Sequence, residues 1–188
     1  MSNKKEPLRS DARRNREAVL ATAMRVLSQR PEASIQEVAD ASGVGRTTVY
    51  RNFSTREDLV RALFAVVIEE QRATVTAAIA EGGTATAILR RLGTGIVAIG
   101  ERYRFLDAHR DLVVEDPLKH PAPDEPLLAW LVTAHELGQI RADLPPDWGY
   151  AMIRALALGA NEEVVAGRRS PEEAGRLLGD TLARAFAA

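Results

Sequence analysis

The chain has 188 residues, of which 46% are hydrophobic and 27% are charged, a composition typical of globular proteins rather than of collagen-like or extensively disordered chains. It contains no cysteine, which excludes disulfides, thiolate nucleophiles and thiolate metal sites. Residues 1–61 hold 12 basic and 8 acidic residues (+4), and the remaining 13 basic and 18 acidic residues give −5. A basic front end is typical of a chain that contacts a polyanion, although such a difference also arises by chance on a mixed surface.

The polar N-terminus and the absence of a long apolar run predict a soluble, cytoplasmic protein that makes no contact with a membrane. Residues 1–7 lack the apolar core of a secretory signal. No apolar run approaches the roughly 20 residues that a membrane span requires.

Hydrophobic residues recur at three-to-four spacing along most of the chain, which predicts an all-α fold of about nine helices and no strand. The first helix follows the charged stretch 13–17 and is expected to end before Pro31. Ser34 and Glu37 form a capping-box pattern, which opens a short second helix that ends near Gly43.

Capping and stop signals place the remaining helices. The third is expected over residues 46–53, and Ser54 or Thr55 is expected to cap a long fourth helix. The fifth contains Gly93 and Gly95, which we expect to weaken it. The sixth helix is expected over residues 101–114, and the seventh from a cap at Asp124 to Gly138. The eighth is expected to begin after Pro145-Pro146, and the ninth at Ser170-Pro171.

The segment 35–53 has the properties of a helix-turn-helix. Gly43 can adopt the positive φ of a tight turn, and Ala39 is small where two helices would cross. The second helix of this pair is short and polar, with Arg46 and Arg51 near its ends, so it is not stable by propensity alone. A surface presented to the DNA major groove explains these features. The alternative is an interior helical hairpin whose aromatic residues belong to the core.

Four stretches within residues 13–64 resemble the TetR family of bacterial regulators. They are Ile35-Gln36-Glu37-Val38-Ala39, Ser42-Gly43-Val44, Thr48-Val49-Tyr50-Arg51-Asn52-Phe53 and Arg56-Glu57-Asp58-Leu59. The resemblance implies an N-terminal three-helix helix-turn-helix DNA-binding domain and a C-terminal helical domain that binds an effector and dimerises. We place a flexible basic arm at residues 1–11, the DNA-binding domain at 12–56 and the effector-binding and dimerisation domain at 57–188.

The resemblance also implies six DNA-binding residues. Residues at the start of the reading helix are placed to meet base edges, and the others are placed to contact phosphates, which set register rather than sequence. We expect base contacts from Arg46 and Thr47, and phosphate contacts from Thr48, Tyr50, Arg51 and Arg56. Asn52 departs from the family, where histidine is frequent, and has no assigned role.

Two apolar stripes near the C-terminus predict a homodimer built from four helices, two from each subunit. The stripe residues are Ile153, Leu156, Ala157, Ala160, Val164, Leu178, Leu182 and Phe186. Packing within the core of a single chain is the alternative. A two-fold dimer implies a palindromic double-stranded DNA operator with half-sites about 34–36 Å apart.

The middle helices are the expected place of an effector pocket. Its candidate residues are Tyr103, Phe105, His109, Trp130 and His135, all of which also suit ordinary core or surface positions. The expected function is that of a repressor which a small-molecule effector of unknown identity releases from DNA by a population shift. A helix-turn-helix regulator without such an effector, acting constitutively or under a protein partner, is the alternative.

An enzyme is the remaining class to consider. The three histidines lack metal-ligand spacing, and no glycine loop or serine has the surroundings of a phosphate-binding or nucleophile motif. We therefore expect no catalytic activity, no cofactor and no metal site.

Overall fold

The computed structural model describes residues 5–106, 109 and 124–188, and for residues 5–10 the backbone alone. These residues form eight α-helices and no strand, which confirms the predicted all-α class. The helices are α1 (Lys5–Gln29), α2 (Ile35–Ser42), α3 (Arg46–Asn52), α4 (Arg56–Ala80), α5 (Ala85–Arg102), α6 (Pro126–Glu136), α7 (Pro146–Val165) and α8 (Pro171–Ala185). Within this described part, no helix has the length and apolar character needed to cross a membrane.

The described residues fall into two compact units. The first comprises the residues up to Val66 together with Phe105, Leu106 and His109. The second comprises residues 67–104 and 124–188. Each unit has its own buried apolar residues, and α4 contributes to both. The boundaries at residues 11 and 56 that the sequence suggested remain predictions.

Helix α1 begins earlier than the sequence indicated. Its helical backbone starts at Lys5, so most of the segment predicted as a flexible arm, residues 1–11, is helical. Ion pairs at helical spacing support this first part of α1, because Asp11 pairs with Arg14 and Arg13 with Glu17.

Helices α2 and α4 of the first unit begin with reciprocal caps. The Glu37 backbone amide donates to Ser34 Oγ at 3.3 Å, and the Ser34 amide donates to Glu37 Oε2 at 2.8 Å, which confirms the capping box. Gly43 ends α2 with a φ of 67°, the left-handed conformation that favours glycine. Thr55 and Asp58 exchange equivalent hydrogen bonds at the start of α4, which settles the choice between the two cap candidates.

Helices α5 and α8 pack backbone against backbone in the second unit. A Cβ atom added to Gly93 would lie 2.3 Å from the amide nitrogen of Gly179 and 2.9 Å from the carbonyl oxygen of Gly175. A Cβ at Gly95 would lie 2.6 Å from the side chain of Thr74. The expectation that Gly93 and Gly95 weaken α5 is therefore incomplete, because these glycines allow its neighbours to approach.

Two predicted boundaries differ from the structure. Helix α5 ends at Arg102 and residues 104–106 form a short 3₁₀ turn, so the helix expected over 101–114 does not begin as predicted, and most of its range lies outside the described residues. The cap of α6 is Glu125 rather than Asp124, since the Leu127 amide donates to Glu125 Oε1 at 3.4 Å, and both carboxylates accept from Arg72 at 3.0 Å. The proline starts of α7 and α8 are confirmed.

Most residues predicted to form the dimer interface lie in the core of the single chain. Six of them are at most 8% exposed: Ile153, Ala157, Val164, Leu178, Leu182 and Phe186. The other two, Leu156 and Ala160, are partly buried against the same core. Their place in a dimer interface stays a prediction, because a stripe at helical spacing marks burial without specifying the partner surface.

Candidate nucleic-acid interface

Helix α3 is attached to the first unit through one buried side chain. Val49 is fully buried and is the single buried residue of the helix. Phe53, which ends α3, is 2% exposed, and its amide donates to the Val49 carbonyl oxygen at 2.9 Å. The Arg16 guanidinium of α1 lies 5.3 Å from the centre of the Phe53 ring, a cation–π contact that secures the end of α3.

The remaining surface of α3 faces solvent. Arg46, Thr47 and Arg51 are exposed, and Tyr50 is exposed over 41% of its surface. Thr48 is half-buried. A tyrosine and two arginines on the open side of a short helix do not fit an interior hairpin, so the structure favours the presented-surface interpretation. Contact of these five residues with DNA stays a prediction.

Arg46 forms a two-point ion pair that sequence reasoning did not find. Its Nε donates to Asp40 Oδ1 at 2.8 Å, and its Nη2 donates to Asp40 Oδ2 at 3.0 Å. These hydrogen bonds with the carboxylate raise the pKa of Arg46, which remains protonated throughout the physiological range. The two residues are six positions apart on different helices, a separation that no single-helix spacing rule detects.

Arg56 is engaged inside the first unit rather than left open. Its Nε donates to the Ala33 carbonyl oxygen at 3.1 Å, and its Nη2 donates to the carbonyl oxygen of Pro31. The same nitrogen lies 3.1 Å from His109 Nε2. Arg56 therefore connects the start of α4 to the loop between α1 and α2. The phosphate contact that the sequence suggested for Arg56 stays a prediction.

The five residues predicted for an effector pocket are divided between the two units. Phe105 and His109 belong to the first unit, and Tyr103, Trp130 and His135 belong to the second. His135 Nε2 lies 3.0 Å from the Ala142 carbonyl oxygen, a contact that accounts for its position without a ligand. Trp130 is half-buried against the hydrophobic core of the second unit. Effector contact by any of the five remains a prediction.

Tyr103 has the most perturbed environment of the five. It is 6% exposed, and its hydroxyl donates to Glu70 Oε2 at 2.6 Å. Burial, followed by the hydrogen bond to the Glu70 carboxylate, raises the pKa of the Tyr103 hydroxyl to about 12. Arg102 pairs with the other oxygen of Glu70. Within the described residues, no group of three or more histidine and acidic side chains is arranged to hold a metal ion.

A shallow, mainly apolar groove runs between α7 and α8 on the surface of the second unit. Its lining residues are Ala155, Leu156, Gly159, Ala160, Glu163, Arg169, Ala174, Leu177, Leu178 and Thr181. Leu156, Ala160 and Leu178 were predicted for the dimer interface, and the apolar face predicted for the last helix also includes Leu177 and Thr181. Ala155 was not predicted, and its sequence signal is its position beside Leu156 in α7.

Residues 19–63 match the family model of bacterial regulatory proteins of the tetR family. The HTH-type transcriptional repressor LfrR of Mycolicibacterium smegmatis is 32% identical over 145 residues, which cover 76% of this chain and 75% of LfrR. The chain belongs to the TetR family. TetR-family proteins are DNA-binding transcription regulators, so the chain is a helix-turn-helix regulator rather than an enzyme, as the sequence predicted.

Solved structures of TetR-family regulators extend the match over nearly the whole chain. The crystal structure of LfrR from Mycobacterium smegmatis in complex with proflavine has a TM-score of 0.68 at 26% identity and covers 93% of this chain and 98% of that one. A putative TetR-family regulator from Rhodococcus sp. has a TM-score of 0.74 at 21% identity, with 92% and 98% of the two chains covered. The latter similarity shows the shared TetR fold alone.

Proposed function

We propose that this TetR-family protein is a ligand-responsive repressor that binds a palindromic operator as a homodimer and is released by a small-molecule effector. The observation that carries the DNA-binding part is the open face of α3. Four predicted contact residues, Arg46, Thr47, Tyr50 and Arg51, are exposed there, while Val49 alone is buried to hold the helix in place. A short helix attached in this way can enter the major groove.

The proposed contacts along α3 are of two kinds, to base edges and to phosphates. Arg46 and Thr47 occupy its first turn and read base edges, since arginine can bind guanine through two hydrogen bonds. Thr48, Tyr50 and Arg51 contact phosphates and fix the register of the helix on the duplex. Arg56 keeps the α1–α2 loop and the start of α4 together, so it acts on DNA binding through the shape of the domain.

The groove between α7 and α8 is the proposed dimer surface. Its lining is mainly alanine, glycine and leucine, which allow two copies of the helix pair to approach closely. Two-fold pairing of this surface joins the same patch on both subunits and presents two copies of α3. The operator then has two half-sites of opposite orientation.

Effector control is supported by LfrR, whose crystal structure is a complex with proflavine. By analogy, a compound that binds better to a conformation with poor operator affinity shifts the population away from DNA. To shift the ratio of the two conformations from 1:99 to 99:1, the compound must bind one of them roughly 10⁴-fold more tightly than the other. Tyr103, Trp130 and His135 remain the pocket candidates of the second unit.

The test of DNA binding is the selection of sequences from a random DNA pool with the wild-type protein and with Arg46→Ala. We expect a palindromic consensus for the wild type, and loss of preference at one symmetric position for the variant. Arg61→Ala, an exposed arginine of α4 paired with Asp58, is the matched control and should retain the full consensus. No enrichment by the wild type would refute the proposal.

The test of effector control uses the selected operator. Operator affinity is measured with and without proflavine and a small panel of planar cationic and neutral compounds. A decrease that saturates with compound concentration supports a ligand-responsive repressor. Operator affinity that no compound changes would instead indicate a regulator without a small-molecule effector.

A further inference from the structure

Arg46 is held by Asp40 across the turn between α2 and α3. The two hydrogen bonds of 2.8 and 3.0 Å use both carboxylate oxygens and one edge of the guanidinium group, formed by Nε and Nη2. The helix that carries Asp40 is held in place, because the two preceding residues, Val38 and Ala39, are buried and the capping box at Ser34 fixes the start of α2. The position of the Arg46 side chain is thus set by a neighbouring helix.

The pairing leaves the end of the guanidinium group available. Arginine carries five N–H donors, and the Asp40 carboxylate accepts from two of them. The three that remain include one N–H on each of the two terminal nitrogens. These two parallel donors match the O6 and N7 acceptors of guanine. Arg46 can therefore bind Asp40 and a guanine at the same time.

The ion pair is too exposed to be explained by stability. The Arg46 side chain is 61% exposed and the Asp40 side chain is 48% exposed. Pairs with this degree of exposure contribute little to folding, since water and salt screen them. Their effect is on the conformation of Arg46, a long side chain that otherwise samples many rotamers and has to be ordered when it binds.

We propose that Asp40 is a specificity-determining positioning residue, which orients Arg46 so that its terminal N–H groups read a guanine. This inference rests on the proposed DNA binding through α3. It assigns to a residue of the first helix of the helix-turn-helix an effect on base preference, although that residue itself makes no base contact. The predicted signature is a loss of discrimination at one operator position without a loss of phosphate contacts.

The experiment compares operator binding by the wild type, Asp40→Ala, Asp40→Asn and Arg46→Ala. For each protein, affinity is measured for the selected operator and for operators changed at the position where Arg46→Ala loses base preference. We expect the wild type to discriminate by about 5- to 150-fold there. In both Asp40 variants, the ratio of the two affinities should be at least about threefold smaller than in the wild type. Discrimination at the other positions, and the dependence of affinity on salt, should remain as in the wild type.

Two controls separate positioning from charge. Glu17→Gln removes a carboxylate that accepts from Arg13 at 2.8 Å in the same unit, so it changes the net charge by the same amount. It should leave base discrimination unchanged. In an Arg46→Ala background, Asp40→Ala should cause no further loss, because the effect of Asp40 acts through Arg46.

Three results would overturn the inference. Unchanged discrimination in both Asp40 variants would show that the ion pair does not position Arg46 on DNA. Sharper discrimination would show that Asp40 restrains Arg46. A loss at a position that Arg46→Ala leaves intact would show that Asp40 contacts a base directly, for example by accepting from the amino group of cytosine. In all three cases the wild-type palindrome survives, so the proposed function stands, whereas no wild-type enrichment at all would refute both.

Discussion

Gly93 of α5 lies so close to Gly179 of α8 that a Cβ atom at Gly93 would be 2.3 Å from the Gly179 amide nitrogen. The obstacle is backbone, so no side-chain rotation relieves the overlap, and the two helices must separate. Gly93→Ala is expected to lower the free energy of unfolding by about 1–3 kcal/mol or more, the usual consequence of overpacking a core. Urea denaturation followed by circular dichroism measures this change.

Thr94→Ala is the matched control, since Thr94 is the next residue of α5 and its side chain is exposed. Its replacement shortens a β-branched side chain and should change the free energy of unfolding by less than about 0.5 kcal/mol. Equal stability of the Gly93→Ala and wild-type proteins would mean that α5 and α8 are not in backbone contact in solution.

Arg56→Ala is expected to destabilise the first unit, because two backbone carbonyl groups of the α1–α2 loop would lose a charged donor. Removing such hydrogen bonds costs about 1.5–3 kcal/mol, and the value for this half-exposed side chain should lie near the lower end. Arg56→Lys should not restore the loss, since an ammonium group lacks the planar fork. Thermal denaturation gives the comparison, with Arg61→Ala as the control. Unchanged stability together with weakened operator binding would favour the phosphate contact predicted from the sequence.

Arg51→Ala is expected to weaken binding to all DNA sequences by a similar factor, because a phosphate contact carries no base preference. In a dimer the substitution removes two such contacts. With about four phosphates neutralised per subunit, the slope of log affinity against log salt should be near −7, and the variant should reduce its magnitude by about 1.8. Fluorescence anisotropy over a range of salt concentrations measures both slopes. A loss confined to one operator position would place Arg51 on a base.

Ala155→Arg and Thr181→Arg are expected to convert the proposed dimer to monomers. Both positions are exposed and line the α7–α8 groove, so a bulky charge there should disturb pairing but leave the chain folded. Sedimentation velocity reports the change of mass. Leu137→Arg is the control, because Leu137 is 66% exposed and outside the groove. If both groove variants remain dimeric, the interface lies on another surface.

The Tyr103 hydroxyl is expected to ionise near pH 12, since burial and the Glu70 carboxylate raise its pKa. The unfolded chain has the ordinary pKa of 10.0 and releases the proton first, so the stability linked to Tyr103 is complete below pH 10 and is lost as the pH rises to about 12. Ultraviolet titration should show a late phenol that disappears in Tyr103→Phe and shifts to lower pH in Glu70→Gln. Absence of the late step would contradict the buried hydrogen bond.

The local features of the helix-turn-helix could be predicted from sequence, because each depends on residues close together in the chain. Ser34 and Glu37 are three residues apart and form the expected capping box. Gly43 has the expected left-handed conformation. Spacing of three to four residues was enough to assign the all-helical class.

Features that depend on tertiary approach could not be predicted. The stripe through Ile153 and Leu182 signals burial, and periodicity is the same whether the covering surface belongs to the same chain or to a second copy. Gly93 is unfavourable in an isolated α5, and the close helix packing that it permits arises only when α8 lies against it. Asp40 and Arg46 meet because a turn brings two helices together, at a separation that neither helix defines.

The attachment of α3 through Val49 alone has an evolutionary consequence. The other residues of this helix are exposed or half-buried, so substitution there leaves the hydrophobic core almost untouched. Surface substitutions usually change stability by no more than about 0.5 kcal/mol. A duplicated copy of this gene can therefore explore new reading residues while its product continues to fold, and the binding specificity of descendants can diverge faster than their architecture.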